Sequence, residues 1–102
     1  MDKEKNKLKN FLKKVREKFG PAEIIMFGSR ATGNFWKRSD YDFIIISEKF
    51  EGVHWLERIS AIVRLWDLPV DIDVLPYTPS EFAWKLKTSS VVRSAMSHKK
   101  VL

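Results

Sequence analysis

Cysteine is absent from the chain, so disulfides and thiolate metal sites are excluded. That absence fits a reducing compartment. No run of eighteen apolar residues occurs, and no charged segment followed by an apolar one opens the sequence, so neither a membrane span nor a secretory signal is expected. The expected location is the cytoplasm. Only two histidines are present. Neither His54 nor His98 has a histidine or cysteine at metal-ligand spacing, and both read as surface or packing residues. Ser29 has no nearby histidine to act as its base, which disfavours a serine hydrolase. There is no G-x-G-x-x-G for a dinucleotide. Gly28 and Gly33 supply the glycines of a P-loop, but Asn34-Phe35 stands where Lys-Ser/Thr is required. A calcium loop of the EF-hand type lacks its third ligand at Ile44 and the glycine after it.

The chain has 102 residues, 44% of them apolar and 31% charged, which is a globular profile. The expectation is one domain over residues 1–102. The formal charge of +6 is uneven: residues 1–18 hold eight Lys/Arg against three Asp/Glu. A basic face of this kind attracts phosphate-bearing partners, but it is also the ordinary solvated side of an amphipathic helix.

Leu8, Phe11, Leu12, Val15 and Phe19 fall at helical spacing with lysines between them. Gly20-Pro21 ends that helix. Short apolar runs bounded by turn residues predict strands at 22–27, 41–46 and 70–75, the last ended by Pro76. A helix is expected over 53–66, with Leu56, Ile59, Val63 and Trp66 on one stripe; Trp55, Ile62 and Leu65 widen it, so it is either deeply packed or partner-facing. Thr78 or Ser80 caps a helix starting near Pro79, and one or two short helices close the chain. The implied class is α/β (an α+β two-layer domain), a small mixed sheet with helices packed on it.

The chemistry gathers in residues 27–42, FGSRATGNFWKRSDYD. Side chains two apart on a strand share a face, roughly 6.5–7 Å from one another. Asp40 and Asp42 therefore aim together, and Asp71 and Asp73 repeat the spacing at the start of the third strand. If the two strands are neighbours, three or four carboxylates converge with no cation among them, and such a cluster repels itself. Oxygen-only clusters suit magnesium, which takes carboxylates, water and substrate phosphates. Gly28 directly after a buried strand permits a sharp turn and close backbone approach. A helical turn opening at Ser29 would then present backbone amides and a hydroxyl to an anion.

Gly28-Ser29, ten residues, then Asp40-x-Asp42 resembles the signature of minimal nucleotidyltransferases in the DNA polymerase β superfamily. Arg30-Ala31-x-Gly33, Ser39-Asp40, and the third strand running into Tyr77-Thr78-Pro79-Ser80-Glu81-Phe82 are similar to that family as well. The resemblance covers roughly residues 20–102. It implies that Gly28 and Ser29 hold the β- and γ-phosphates of a nucleoside triphosphate, with Arg30 either a phosphate contact or a partner for a neighbouring acid. It implies that Asp40 and Asp42 bind two magnesium ions, and that a third-strand aspartate shares one ion and helps deprotonate the acceptor hydroxyl. Asp73 stands at the family's usual distance before Tyr77-Thr78-Pro79 and is preferred to Asp71. The implied reaction is transfer of AMP from ATP to a hydroxyl.

Minimal members resemble the antitoxin of toxin–antitoxin pairs whose partner is a helical HEPN-type ribonuclease, with a toxin tyrosine as acceptor. The other reading is a nucleotide-binding module that neutralises a partner by contact alone. A homo-oligomer is a further candidate assembly. Direct nucleic-acid binding through the first helix is disfavoured, since that helix lacks interleaved aromatics.

Overall fold

The computed structural model describes residues 3–33 and 39–102. Its spine is β2 (Tyr41–Ser47), which is buried at every position but Asp42. Such a strand must be covered on both faces. β1 (Ala22–Phe27) pairs with it antiparallel and β3 (Ile72–Tyr77) parallel; a two-residue β4 (Lys100–Val101) joins the far side of β1. The order across the sheet is β3-β2-β1-β4, so the mixed sheet with helices packed on it is as expected.

Strand alternation divides the core in two. Phe43 and Ile45 of β2 meet Ile24 and Met26 of β1 on one face, beneath α1 (Lys3–Phe19) and α3 (Trp55–Val63). α1 contributes Phe11, Val15 and Phe19, each one turn beyond the last, as its spacing predicts. Phe11, Tyr41, Phe43 and Trp66 interlock there, with Phe11 and Trp66 edge to face at 4.9 Å. On the opposite face Ile25, Ile44, Ile46 and Tyr77 pack under α4 (Pro79–Thr88) and α5 (Ser90–Ser97).

Three departures from the expected elements have physical causes. The third strand begins at Ile72 and runs through Pro76 to Tyr77. β3 is the sheet edge, where proline's missing N–H costs no ladder bond. β4 was not expected; at two residues it has no periodicity to read. α3 is also shorter than 53–66, and its buried face is centred on Ile62 and Arg58, leaving Leu56 64% and Val63 41% exposed. The stripe of Leu56 and Val63 is therefore corrected. An arginine occupies the inward position, satisfied by Val53 O, by Pro76 O at 3.1 Å and by both Glu81 carboxylate oxygens at 2.6 and 3.2 Å.

Glu81 belongs in turn to a capping box with Thr78, whose hydroxyl accepts from the Glu81 N–H. Thr78, not Ser80, is thus the cap, and α3, β3 and α4 are tied at one point. Ser47, at the C-terminal end of β2, is buried and donates to Phe19 O at 2.5 Å. No helix among the described residues is long and apolar enough to cross a membrane.

Candidate functional site

β1 delivers the chain to Gly28, whose φ of 75° and ψ of −161° lie where residues with a Cβ are strained. A Cβ built on Gly28 would stand 2.3 Å from Asp42 Oδ2. Glycine is thus demanded twice, by conformation and by room. The register explains the contact, because Phe27 is the partner of Asp42 across β1 and β2.

The chain then makes the single turn α2 (Ser29–Thr32), closed by Gly33 in the left-handed region with its N–H on Ser29 O at 3.0 Å. Ala31 and Thr32 N–H donate to Gly28 O at 3.1 and 3.3 Å, while N–H groups at the head of such a turn suit an anion. Positions 34–38, including the Asn34-Phe35 pair, lie outside the described residues.

Asp42 is directly opposite Asp73 in the parallel β2–β3 register, so both stand on one face of the sheet. Asp42 is half-buried on the helix-covered side and Asp73 is exposed on the edge strand. Burial, then the charge of Asp73, then that of Asp40, push the Asp42 carboxyl up to about 6; a hydrogen bond with the Asp73 side chain adds to the shift. Asp40 is exposed just before β2, near enough for its charge to act on Asp42.

Asp71 precedes β3 and is exposed; its backbone carbonyl accepts from Tyr41 N–H at 3.0 Å. Of the two third-strand acids, Asp73 is the one set against Asp42. Among the described residues, no three Asp, Glu, His or Cys side chains converge closely enough to enclose a metal. The convergence is thus a close pair with a third charge nearby, rather than the three or four acids that alternation alone suggested.

Arg30 occupies the acid-pairing alternative. Its side chain is 4% exposed, with NH1 on Glu4 Oε2 at 3.1 Å, Nε on Ser39 O at 3.1 Å and the guanidinium 4.3 Å from the centre of the Tyr41 ring. Tyr41 donates to the same Glu4 oxygen at 2.5 Å. One arginine thus fastens α2 to α1 and to the residue preceding Asp40. Glu4 was missed from sequence, because a single acid early in a lysine-rich helix, with the next at Glu17, carries no periodic signal. His54 caps α3 through Nδ1, accepting from Leu56 N–H.

The arrangement places an anion-accepting turn against paired carboxylates on neighbouring strands. Comparison with known proteins bears on what it serves. The nucleotidyltransferase domain family matches residues 8–102. The comparison with curated proteins found no significant match. A protein from Sulfolobus solfataricus assigned as a nucleotidyltransferase has a fold similar to this one, with a TM-score of 0.64 at 20% identity over 94% of this chain and 76% of its own. A chain from a toxin–antitoxin complex crystallised with AMP-PNP is similar at a TM-score of 0.53 and 18% identity, over 94% of this chain and 69% of its own. At such identities the structural likeness is one of fold. The family match extends from α1 through β4, taking in the glycine turn and every aspartate described above, and the chain belongs to the nucleotidyltransferase domain family.

Proposed function

We propose that this chain transfers a nucleoside monophosphate, AMP from ATP, to a hydroxyl of a partner protein. The observation that carries the reading is the contact of Gly28 with Asp42, itself opposite Asp73. It sets a phosphate-accepting turn beside Asp42, whose carboxyl is pushed up by burial and then by the charges of Asp73 and Asp40. The donor set fits a hard divalent ion: it is all oxygen and in excess of negative charge. Asp40, Asp42 and Asp73 would hold magnesium, two ions by family resemblance. When bound, magnesium would neutralise charge on the phosphates and the leaving group.

The chain's own residues do the rest. Gly28 and Ser29 position the β- and γ-phosphates with backbone amides and a hydroxyl. Asp73, exposed at the sheet edge, is the base: the acceptor oxygen bonds to the α-phosphorus, its proton passes to the carboxylate, and the α–β bond breaks to release pyrophosphate. Arg30 serves this reading by holding the turn from behind.

The partner we propose is a toxin of the helical HEPN type with a tyrosine as acceptor, on family resemblance and the likeness to a chain of a toxin–antitoxin complex. Leu56 and Trp84, each 64% exposed, offer apolar contact for it.

Calorimetry with AMP-PNP tests the site. Magnesium should strengthen binding to the wild type, and the Asp40→Asn/Asp42→Asn variant, which keeps shape but loses charge, should lose that enhancement. An unchanged magnesium dependence would place the site elsewhere. Nucleotide binding without transfer would leave the contact-only module as the correct reading.

A further inference from the structure

α1 carries more positive charge than its place in the fold uses. Lys7 pairs with Asp67, and Glu4 is taken by Arg30. Lys9, Lys13 and Arg16 make no ion pair among the described residues, although Glu17 stands beside them. All three are exposed and follow one another at four- and three-residue spacing along one flank of the helix. Like charges at that spacing cost a helix stability.

These side chains line a groove of about 870 Å³ between α1 and the end of β4. Its floor is apolar: Leu12 and Leu102 are half-buried and pack against the core. The Leu102 N–H donates to Ile24 O at 2.9 Å, which fastens that wall to β1. Lys100 stands opposite Met26 across β1 and β4, and Met26 belongs to the core beneath α1. A fourth cation therefore lies on the same side of the sheet.

We propose that this groove docks an acidic amphipathic helix of the partner protein, its apolar stripe on Leu12 and Leu102 and its carboxylates on Lys9, Lys13 and Arg16. The inference rests on the partner-protein reading above and adds to it a surface apart from Leu56 and Trp84. Charge complementarity selects the occupant. A second copy of this chain, at +6, is repelled from a basic groove. A nucleic acid would meet the cations but gains nothing from an apolar floor, and the described lining offers no aromatic ring to a base. A helix with one apolar stripe and acids beside it uses both parts of the groove.

Position makes docking separable from chemistry. Asp42 and Asp73 alternate along their strands with Phe43 and Val74, which pack on the α1 face, so the acids lie on the opposite face. A partner held on α1 leaves those carboxylates open to nucleotide while keeping the acceptor at high local concentration.

The test is calorimetry on the full chain with its HEPN-type partner, at low and at physiological salt. Lys9→Glu/Lys13→Glu/Arg16→Glu should weaken partner binding by about tenfold or more, as attractions become repulsions. Lys9→Gln/Lys13→Gln/Arg16→Gln should weaken it less and flatten its salt dependence. Both variants should bind AMP-PNP with magnesium within about twofold of wild type, as separate sites with no shared partners do. An unchanged circular dichroism spectrum checks the fold, since all three positions are exposed.

Independently, carbodiimide coupling of the wild-type complex should join Lys9 or Lys13 to an acid of the partner, in a segment with apolar residues at helical spacing. Wild-type affinity in the glutamate variant, or cross-links confined to Lys85 and Lys87 on α4, would overturn the docking surface. So would a glutamate variant that loses binding to a short RNA duplex, or loses a homodimer, with partner affinity unchanged. A wild type that binds its partner through these cations but transfers no label keeps the docking surface and removes the transfer reading alone. A wild type that binds AMP-PNP but no HEPN-type partner removes the partner and the docking surface together.

Discussion

Asp42 concentrates the electrostatics of the site in one side chain. Its folded-state pKa is raised, chiefly by burial and then by Asp73 and Asp40. The native protein therefore holds this proton to higher pH than the unfolded chain does, and ionising Asp42 weakens the metal-free fold. The sign follows from linkage: the contribution is intact below about pH 4 and is lost as pH rises through about 6. Thermal melts of the metal-free protein should show that component of stability falling across this window. Asp42→Asn, which cannot ionise, should remove that component and melt higher than wild type at pH 7. A variant that melts lower, with the pH component retained, would mean that Asp42 is not the strained group. Much of this was legible in advance. Alternation put Asp40 and Asp42 on one side of a strand, and glycine after an apolar run marked a turn. The Gly28–Asp42 contact was not legible, because it depends on an antiparallel register that local pattern does not set. Arg30 shows the same limit, since its partner Glu4 lies 26 positions earlier.

Elements are positioned here by a small number of polar ties as well as by apolar packing. Arg58 is the clearest, donating to Val53 O, Pro76 O and the Glu81 carboxylate while Glu81 caps α4. The hydrogen bond from Arg58 in particular holds the Glu81 carboxyl below the usual glutamate range. Its contribution is present above that range and is lost as pH falls through the lowered value. Arg58→Met should cost about 2–3 kcal/mol, because Glu81 keeps its charge and loses its partner while two carbonyls lose a donor. The check is chemical denaturation; a loss below about 0.5 kcal/mol would show that the tie is ornamental. The same residue explains why α3 was misread. Helical periodicity finds the inward face by hydrophobicity, and here the inward face carries an arginine satisfied by elements not adjacent in sequence. Strands 22–27 and 41–46 were legible because their apolar runs are continuous and bounded. The edge strand was displaced because proline was taken as a terminator, although an edge accepts it.

At the scale of the whole molecule, sheet order converts separate motifs into one surface. β1 brings the glycine turn, β2 the central aspartate and β3 the edge aspartate, so on the proposed reading phosphate, metal and acceptor positions would run in sequence across β1, β2 and β3. The basic charge lies chiefly on α1, on the far face of the sheet from α4 and α5. The class of the fold and the family were both readable from the compound motif, since Gly-Ser followed at fixed distance by Asp-x-Asp constrains turn, strand and site together. The most direct measurement of the central claim is label transfer. Wild-type protein with magnesium, ATP labelled at the α-phosphate and its HEPN-type partner as acceptor should yield labelled partner protein. Asp73→Asn should bind the partner and the nucleotide yet transfer at least a hundredfold less label, the scale on which a general base contributes, while Asp71→Asn retains most of it. A wild type that silences its partner without transferring label, or an Asp73→Asn variant that transfers at the wild-type rate, would contradict the account.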